Sequence, residues 1–178
     1  MKITRYLFLA FAITALFSLG AHAQRTKRPV KRTTAAPKTS TVPPLDVRAA
    51  RVKVSDQFEN VKAFIQRLGP VARAIEALDA EARTKRVSKQ TLDKNASDKQ
   101  KVIAAIRGLR DGMVKLESEF RVRANLKKYL PTIQGISELA GQSETSAIAG
   151  SFVGANEPLR TVQQKLADTL AAMPNVEL

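Results

Sequence analysis

The chain has no cysteine and no tryptophan, and its single histidine is His22. Without cysteine no disulfide can form, so the fold depends on its hydrophobic core. Residues 24–178 contain neither His nor Cys, which removes the usual ligands of zinc, haem and copper. The same absence excludes nucleophilic pairs of the Ser-His and Cys-His kinds. We therefore expect a protein without metal, cofactor or enzyme activity.

Acidic residues are absent from the first 45 residues, and every Asp and Glu lies from Asp46 onward. Of the net charge of +14, residues 1–23 contribute +2, residues 24–45 contribute +6, and the rest of the chain contributes the remaining +6. The positive charge is therefore most concentrated ahead of Asp46.

The first 23 residues have the order of a secretory signal peptide. Lys2 and Arg5 precede an uncharged apolar run at residues 6–19, and Ala-His-Ala at residues 21–23 supplies a cleavage site. The run has about 14 residues, fewer than the roughly 20 that span a bilayer. We predict export to the periplasm or the medium. The alternative is an uncleaved signal that tethers the chain to the inner membrane.

Residues 24–45 are rich in Pro, Thr and basic residues and have almost no large apolar side chains. Such a segment cannot bury enough surface to offset its ordering entropy, so we interpret it as a disordered tail. Six cations without an acid predict sequence-independent binding to polyanions by counterion release. These predicted polyanion-binding residues are Arg25, Lys27, Arg28, Lys31, Arg32 and Lys38. A solvated spacer is the alternative interpretation.

In an exported setting the expected ligands of this tail are anionic envelope polymers or lipid headgroups. The tail has no aromatic residue that could stack on unpaired bases, so we expect no sequence-specific nucleic-acid binding.

From Asp46 onward the apolar residues indicate helices. Two long stripes repeat at alternating spacings of four and three, which predicts two amphipathic helices. The stripes are Val54, Phe58, Val61, Ile65, Leu68, Ala72, Ile75 and Ala82, and then Val102, Ile106, Leu109, Met113, Leu116 and Phe120. Gly69-Pro70 interrupts the first stripe without changing its phase. This favours a kinked helix, and the alternative is a turn between two helices.

Capping residues suggest where the two long helices begin. Asp46 fits an N-cap for the first helix, and Ser97 with Gln100 fits a capping box for the second. The polar residues 84–97 would then connect the two helices as an antiparallel hairpin.

The last third of the chain predicts two further helices. Pro131 fits the first position of a third helix, and Asn156 fits the cap of a final helix that ends at Pro174. No strand-like alternation occurs in residues 46–178. We predict an all-α domain over these residues, an antiparallel bundle of about four helices behind the disordered tail.

Two further basic clusters lie at opposite ends of the predicted hairpin. For both we favour structural or solubility roles. Cations in the last turn of a helix interact well with its dipole, which explains the second cluster without a ligand. The clusters are Arg83, Lys85, Arg86, Lys89 and Lys94, and then Arg121, Arg123, Lys127 and Lys128.

The leading functional hypothesis is an exported, non-enzymatic binding or scaffold protein of the cell envelope, with an unknown protein partner on the helix faces. The alternative is a chaperone-like or assembly protein, which exposure of Phe64, Val71 or Leu78 would support. An enzyme that uses carboxylates alone would need acids such as Glu76 and Asp79 to converge in a cleft, and nothing else in the sequence supports it.

Overall fold

A computed structural model describes residues 43–175 of the chain. The predicted signal peptide and the six cations of the predicted tail lie outside these residues, and so do residues 176–178. The described part is all helical, with no strand. Its α-helices are α1 (Leu45–Thr84), α2 (Lys89–Val122), α3 (Leu130–Ile133), α4 (Ile136–Ile148) and α5 (Asn156–Ala172), and a 3₁₀ helix at Ala124–Tyr129 joins α2 to α3.

The predicted all-α bundle is confirmed. Helix α1 packs on α2 and α5, and α4 packs on α2 and α5, so the four longer helices surround one interior. Ion pairs join Lys53 to Glu119 and Asp79 to Lys99 across the first two helices, which therefore run antiparallel. The prediction of an antiparallel helical hairpin is confirmed.

Helix α1 continues without a break through Gly69 and Pro70, so the alternative of a turn there is wrong. Proline normally disfavours helical backbone in the preceding residue, because its Cδ crowds that residue's Cβ. Gly69 has no Cβ and avoids this clash. The apolar residues on both sides consequently form one stripe along α1.

Both capping predictions for the long helices are wrong. Helix α1 begins at Leu45, and Asp46 lies in its first turn, where Oδ2 accepts a hydrogen bond from Asn125 Nδ2 at 3.0 Å. Helix α2 begins at Lys89, because the Ser88 hydroxyl oxygen accepts from the Thr91 N–H at 3.2 Å. The connection is therefore only residues 85–88, and Ser97 already lies inside α2.

The predicted third helix is split, and Asn156 is not the cap of the last one. Gly135 has a φ of +87° and separates α3 from α4. Helix α5 begins at Asn156 itself, with no side-chain cap bond. At its other end, Arg51 Nη1 donates to the carbonyl oxygen of Met173 at 3.0 Å, which ties the end of α5 to α1.

The interior has two apolar clusters. Phe120 and Tyr129 belong to the first core cluster, and Phe152 belongs to the second. Ile65 and Leu109 pack against both clusters and connect them. Ala82, which the sequence placed on the first stripe, is exposed because α1 extends past its last buried residue, Ile75. The other stripe residues of α1 and α2 are buried or half-buried, as predicted.

Candidate functional site

The six predicted polyanion-binding cations, Arg25, Lys27, Arg28, Lys31, Arg32 and Lys38, lie outside the described residues. Their role stays a prediction. The described residues contain further carboxylates and cations. Those that are already paired within the protein are less available to a ligand than those that are not.

Glu76 and Asp79 share a cleft of about 340 Å³ with Arg83, between the end of α1 and the turn that follows α4. Glu76 Oε1 accepts a hydrogen bond from the Val153 N–H at 2.8 Å. Asp79 Oδ1 accepts from Asn95 Nδ2 at 2.7 Å and from Lys99 Nζ at 2.6 Å. These carboxylates therefore connect α1 to α2 and to the turn before α5.

Glu117 is the most completely bonded carboxylate in the described part of the chain. It is only 2% exposed, and it accepts from the Gly135 N–H at 3.1 Å, the Ser137 N–H at 3.1 Å and the Ser137 hydroxyl at 2.7 Å. Arg121 pairs with it one turn along α2. Burial by itself raises the pKa of the Glu117 carboxyl, but these hydrogen bonds favour the charged form and together lower the pKa to about 2.

Glu144 is the second buried carboxylate, on α4. Its oxygens lie 2.8 Å from Arg107 Nε and 2.7 Å from Arg110 Nη1, both on α2. This arrangement joins α4 to α2, which is the structural use expected of a buried charge.

Sequence reasoning missed Glu117 and Glu144, although a signal was present. Glu117 lies four residues after Met113 and three before Phe120, so it is in phase with the apolar stripe of α2. A charged residue at a core position needs a dedicated partner when it is buried. Within residues 43–175, no group of three or more His, Cys, Asp or Glu side chains could hold a metal ion.

The basic cluster at the far end of α2 has local partners. Arg121 pairs with Glu117, Arg123 Nε lies 3.0 Å from Glu119 Oε1, and Lys128 Nζ lies 4.8 Å from the centre of the Tyr129 ring. These contacts account for most of the cluster without a ligand.

The basic cluster at the other end of the hairpin has fewer ion-pair partners. We define the hairpin tip as residues 83–94. Lys85 lies 3.6 Å from Glu81. The other four cations have no carboxylate oxygen from the described residues within 4.0 Å. Asp79 lies one helical turn before Arg83, but it binds Lys99. These four are Arg83, Arg86, Lys89 and Lys94.

Exposure of any of three apolar residues beside the stripe of α1 would support the chaperone-like alternative. Val71 is 40% exposed, whereas Phe64 packs on the second core cluster and Leu78 is half-buried. One of the three residues is therefore exposed, and the chaperone-like alternative stays a hypothesis.

Across residues 43–175, no helix has a stretch that is long and apolar enough to cross a membrane. Comparison of the chain with protein-family models, with curated proteins and with solved structures found no match.

Proposed function

We propose that the protein is an exported, non-enzymatic binding or scaffold module of the cell envelope, and that its segment 24–45 contacts anionic polymers or lipid headgroups. One observation carries this proposal: six cations and no acid stand together in that segment. Polyanions bind such a segment by releasing counterions, which needs no fixed geometry in the protein.

The chemistry of the bundle supports a scaffold role. Its buried carboxylates, Glu117 and Glu144, both hold helices together. Asp79 binds Asn95 and Lys99, so it also serves the packing of α1 on α2. A general acid or base needs a side chain that can reach a substrate, and these acids are engaged with the protein itself.

The two ends of the chain differ in charge, which supports a division of roles. The last third, from Pro131, has two cations against five acids. Of these acids, Glu138, Glu157 and Asp168 are exposed, whereas Glu144 is buried against Arg107 and Arg110. The exposed acids would suit a basic protein partner, while the tail holds the chain at an anionic surface.

The experiment compares two forms of the chain from residue 24 to residue 178. The first is unchanged, and in the second the six tail cations are Gln. Both are sedimented with cell-envelope fractions at low and high salt. We expect the unchanged form to sediment more completely than the substituted form at low salt, and we expect salt to remove this difference. Equal sedimentation of both forms would show that the tail is a spacer.

A further inference from the structure

We propose that the hairpin tip, residues 83–94, is a second binding site, and that its ligand is an anionic lipid surface. This inference shares one premise with the proposed function, namely that the chain works at an anionic surface. It places this second contact in the folded domain, whereas the proposed function places the first contact in segment 24–45.

The first argument is charge. Residues 83–94 contain five cations and a single acid, Asp93. Four of the cations have no carboxylate partner within 4.0 Å among residues 43–175. At the far end of α2, two of the four cations pair with carboxylates and a third lies over the Tyr129 ring. The tip therefore has uncompensated positive charge at one end of the bundle, which favours anionic ligands.

The second argument is the position of Lys89. It is the first residue of α2, and the first turn of that helix has no acidic residue. Positive side chains are unfavourable at a helix N-terminus, because the free N–H groups there already carry partial positive charge. An anion bound at the tip would relieve this repulsion. Arg86 lies three residues earlier, in the connection, and adds to the same local field.

The third argument is shape. The hydrogen bond between Asp79 and Asn95 is the side-chain hydrogen bond between α1 and α2 that lies nearest the tip among the described residues. Beyond it, every residue from 80 to 94 except Val87 is exposed. From Asp79 to Thr84 the helix rises about 8 Å, so the tip projects past the packed part of the bundle.

A protruding tip suits a lipid surface better than a soluble chain. A soluble polyanion binds most tightly to a groove or an extended stripe of positive charge. A flat membrane surface can contact only the parts of a protein that protrude. Leu92 lies among the cations and is 41% exposed. An apolar side chain between basic ones can enter the headgroup region while the cations bind phosphates.

The test uses vesicles of phosphatidylcholine containing about a quarter phosphatidylglycerol, with pure phosphatidylcholine vesicles as the neutral surface. The protein is the chain from residue 24, because the apolar run at 6–19 would itself bind lipid. The tip variant is R86Q/K89Q/K94Q. Its matched control is R67Q/K127Q/R160Q, which removes the same charge from exposed positions that have no ion pair among the described residues.

We expect the tip variant to bind the anionic vesicles roughly 100-fold more weakly at low salt, at about fivefold for each cation. The control should lose less than about tenfold. Equal loss in both variants would overturn the inference, because net charge alone would then explain binding. A circular dichroism melt of each variant confirms that the fold is intact.

Two further experiments distinguish lipid phosphate from soluble phosphate, and binding by the tip from binding by the tail. Inorganic polyphosphate that bound as tightly as the vesicles and depended on the same tip cations would overturn the lipid assignment. With all six tail cations changed to Gln, remaining binding that the tip variant abolishes supports the tip, and binding as strong as that of the unchanged chain would contradict the tail. Binding lost with the tail and insensitive to the tip variant would overturn the tip and leave the proposed function standing.

Discussion

At the scale of single residues, one carboxylate on α2 caps the start of another helix, α4. Glu117 accepts the N–H groups of Gly135 and Ser137, which lie 18 and 20 residues further along the chain. These are N–H groups at the start of α4, where no intrahelical partner exists. A local side chain usually supplies this cap. Here it comes from the neighbouring helix, so the same contact also joins α2 to α4.

We expect Glu117→Gln to lower the free energy of unfolding by about 2 kcal/mol, since the amide has one acceptor oxygen and loses the charge-assisted bonds. Urea denaturation followed by circular dichroism measures the change. The control is Glu138→Gln, which removes an exposed acid from the first turn of α4 and should cost about 0.5 kcal/mol or less. Equal effects of the two substitutions would contradict the capping role.

The pKa of Glu117 predicts how stability depends on pH. Its folded-state pKa of about 2 lies below the ordinary value of 4.5. The unfolded state therefore binds the proton more tightly, and the stabilisation is complete above pH 4.5 and is lost as the pH falls from there toward 2. We expect the unfolding free energy of the Gln variant to fall less over this interval than that of the unchanged protein. Parallel pH profiles would show that other groups cause the acid sensitivity.

At the scale of elements, glycine marks both a helix interior and a helix boundary. Gly108 lies inside α2, and a Cβ added there would meet nothing within 4 Å. Gly135 also has open space around it, but its φ of +87° is strained for any residue with a Cβ. The same substitution should therefore have opposite effects at the two positions.

We expect Gly108→Ala to stabilise the protein by about 0.5–1 kcal/mol, because Ala restricts the unfolded chain and favours helix. Gly135→Ala should destabilise it by about 1 kcal/mol or more through backbone strain. The urea midpoints of the two variants test this pair. A loss of stability for Gly108→Ala would mean that α2 is packed there against something outside residues 43–175.

At the scale of the whole molecule, the two core clusters share Ile65 and Leu109. Helices α1 and α2 run through both clusters, so neither can open without disrupting the other. We expect a single cooperative unfolding transition. Tyr129 is the only tyrosine after residue 23 and the chain has no tryptophan, so intrinsic fluorescence reports on the first cluster alone. Circular dichroism reports on all helices, and different midpoints from the two probes would show separate units.

The helices themselves could be predicted from the sequence, but their ends could not. The two long stripes follow from spacing alone, because apolar residues three and four apart lie on one helix face. The predicted N-cap of α2, Ser97, lies nine residues after the observed N-cap, Ser88, since Asn95 and the polar residues before it are typical of a loop. In the bundle Asn95 is buried against Asp79, and this contact between helices outweighs the local preference of a polar stretch.

The candidate sites, like the helices, could be predicted only in part from the sequence. Sequence alone identified both basic clusters and their opposite ends. It could not show that Asp79 would pair with Lys99 and not with Arg83, because that choice depends on how α1 packs against α2.

The sequence by itself determined the all-α class, the two amphipathic stripes and the uneven distribution of charge, since each depends on residue types and on spacings within one helix. Tertiary structure alone decided which carboxylates are buried and which cations keep no partner. The reason is physical: burial and ion pairing depend on which helices become neighbours, and residues 18 or more apart in the chain, such as Glu117 and Gly135, meet only in the folded bundle.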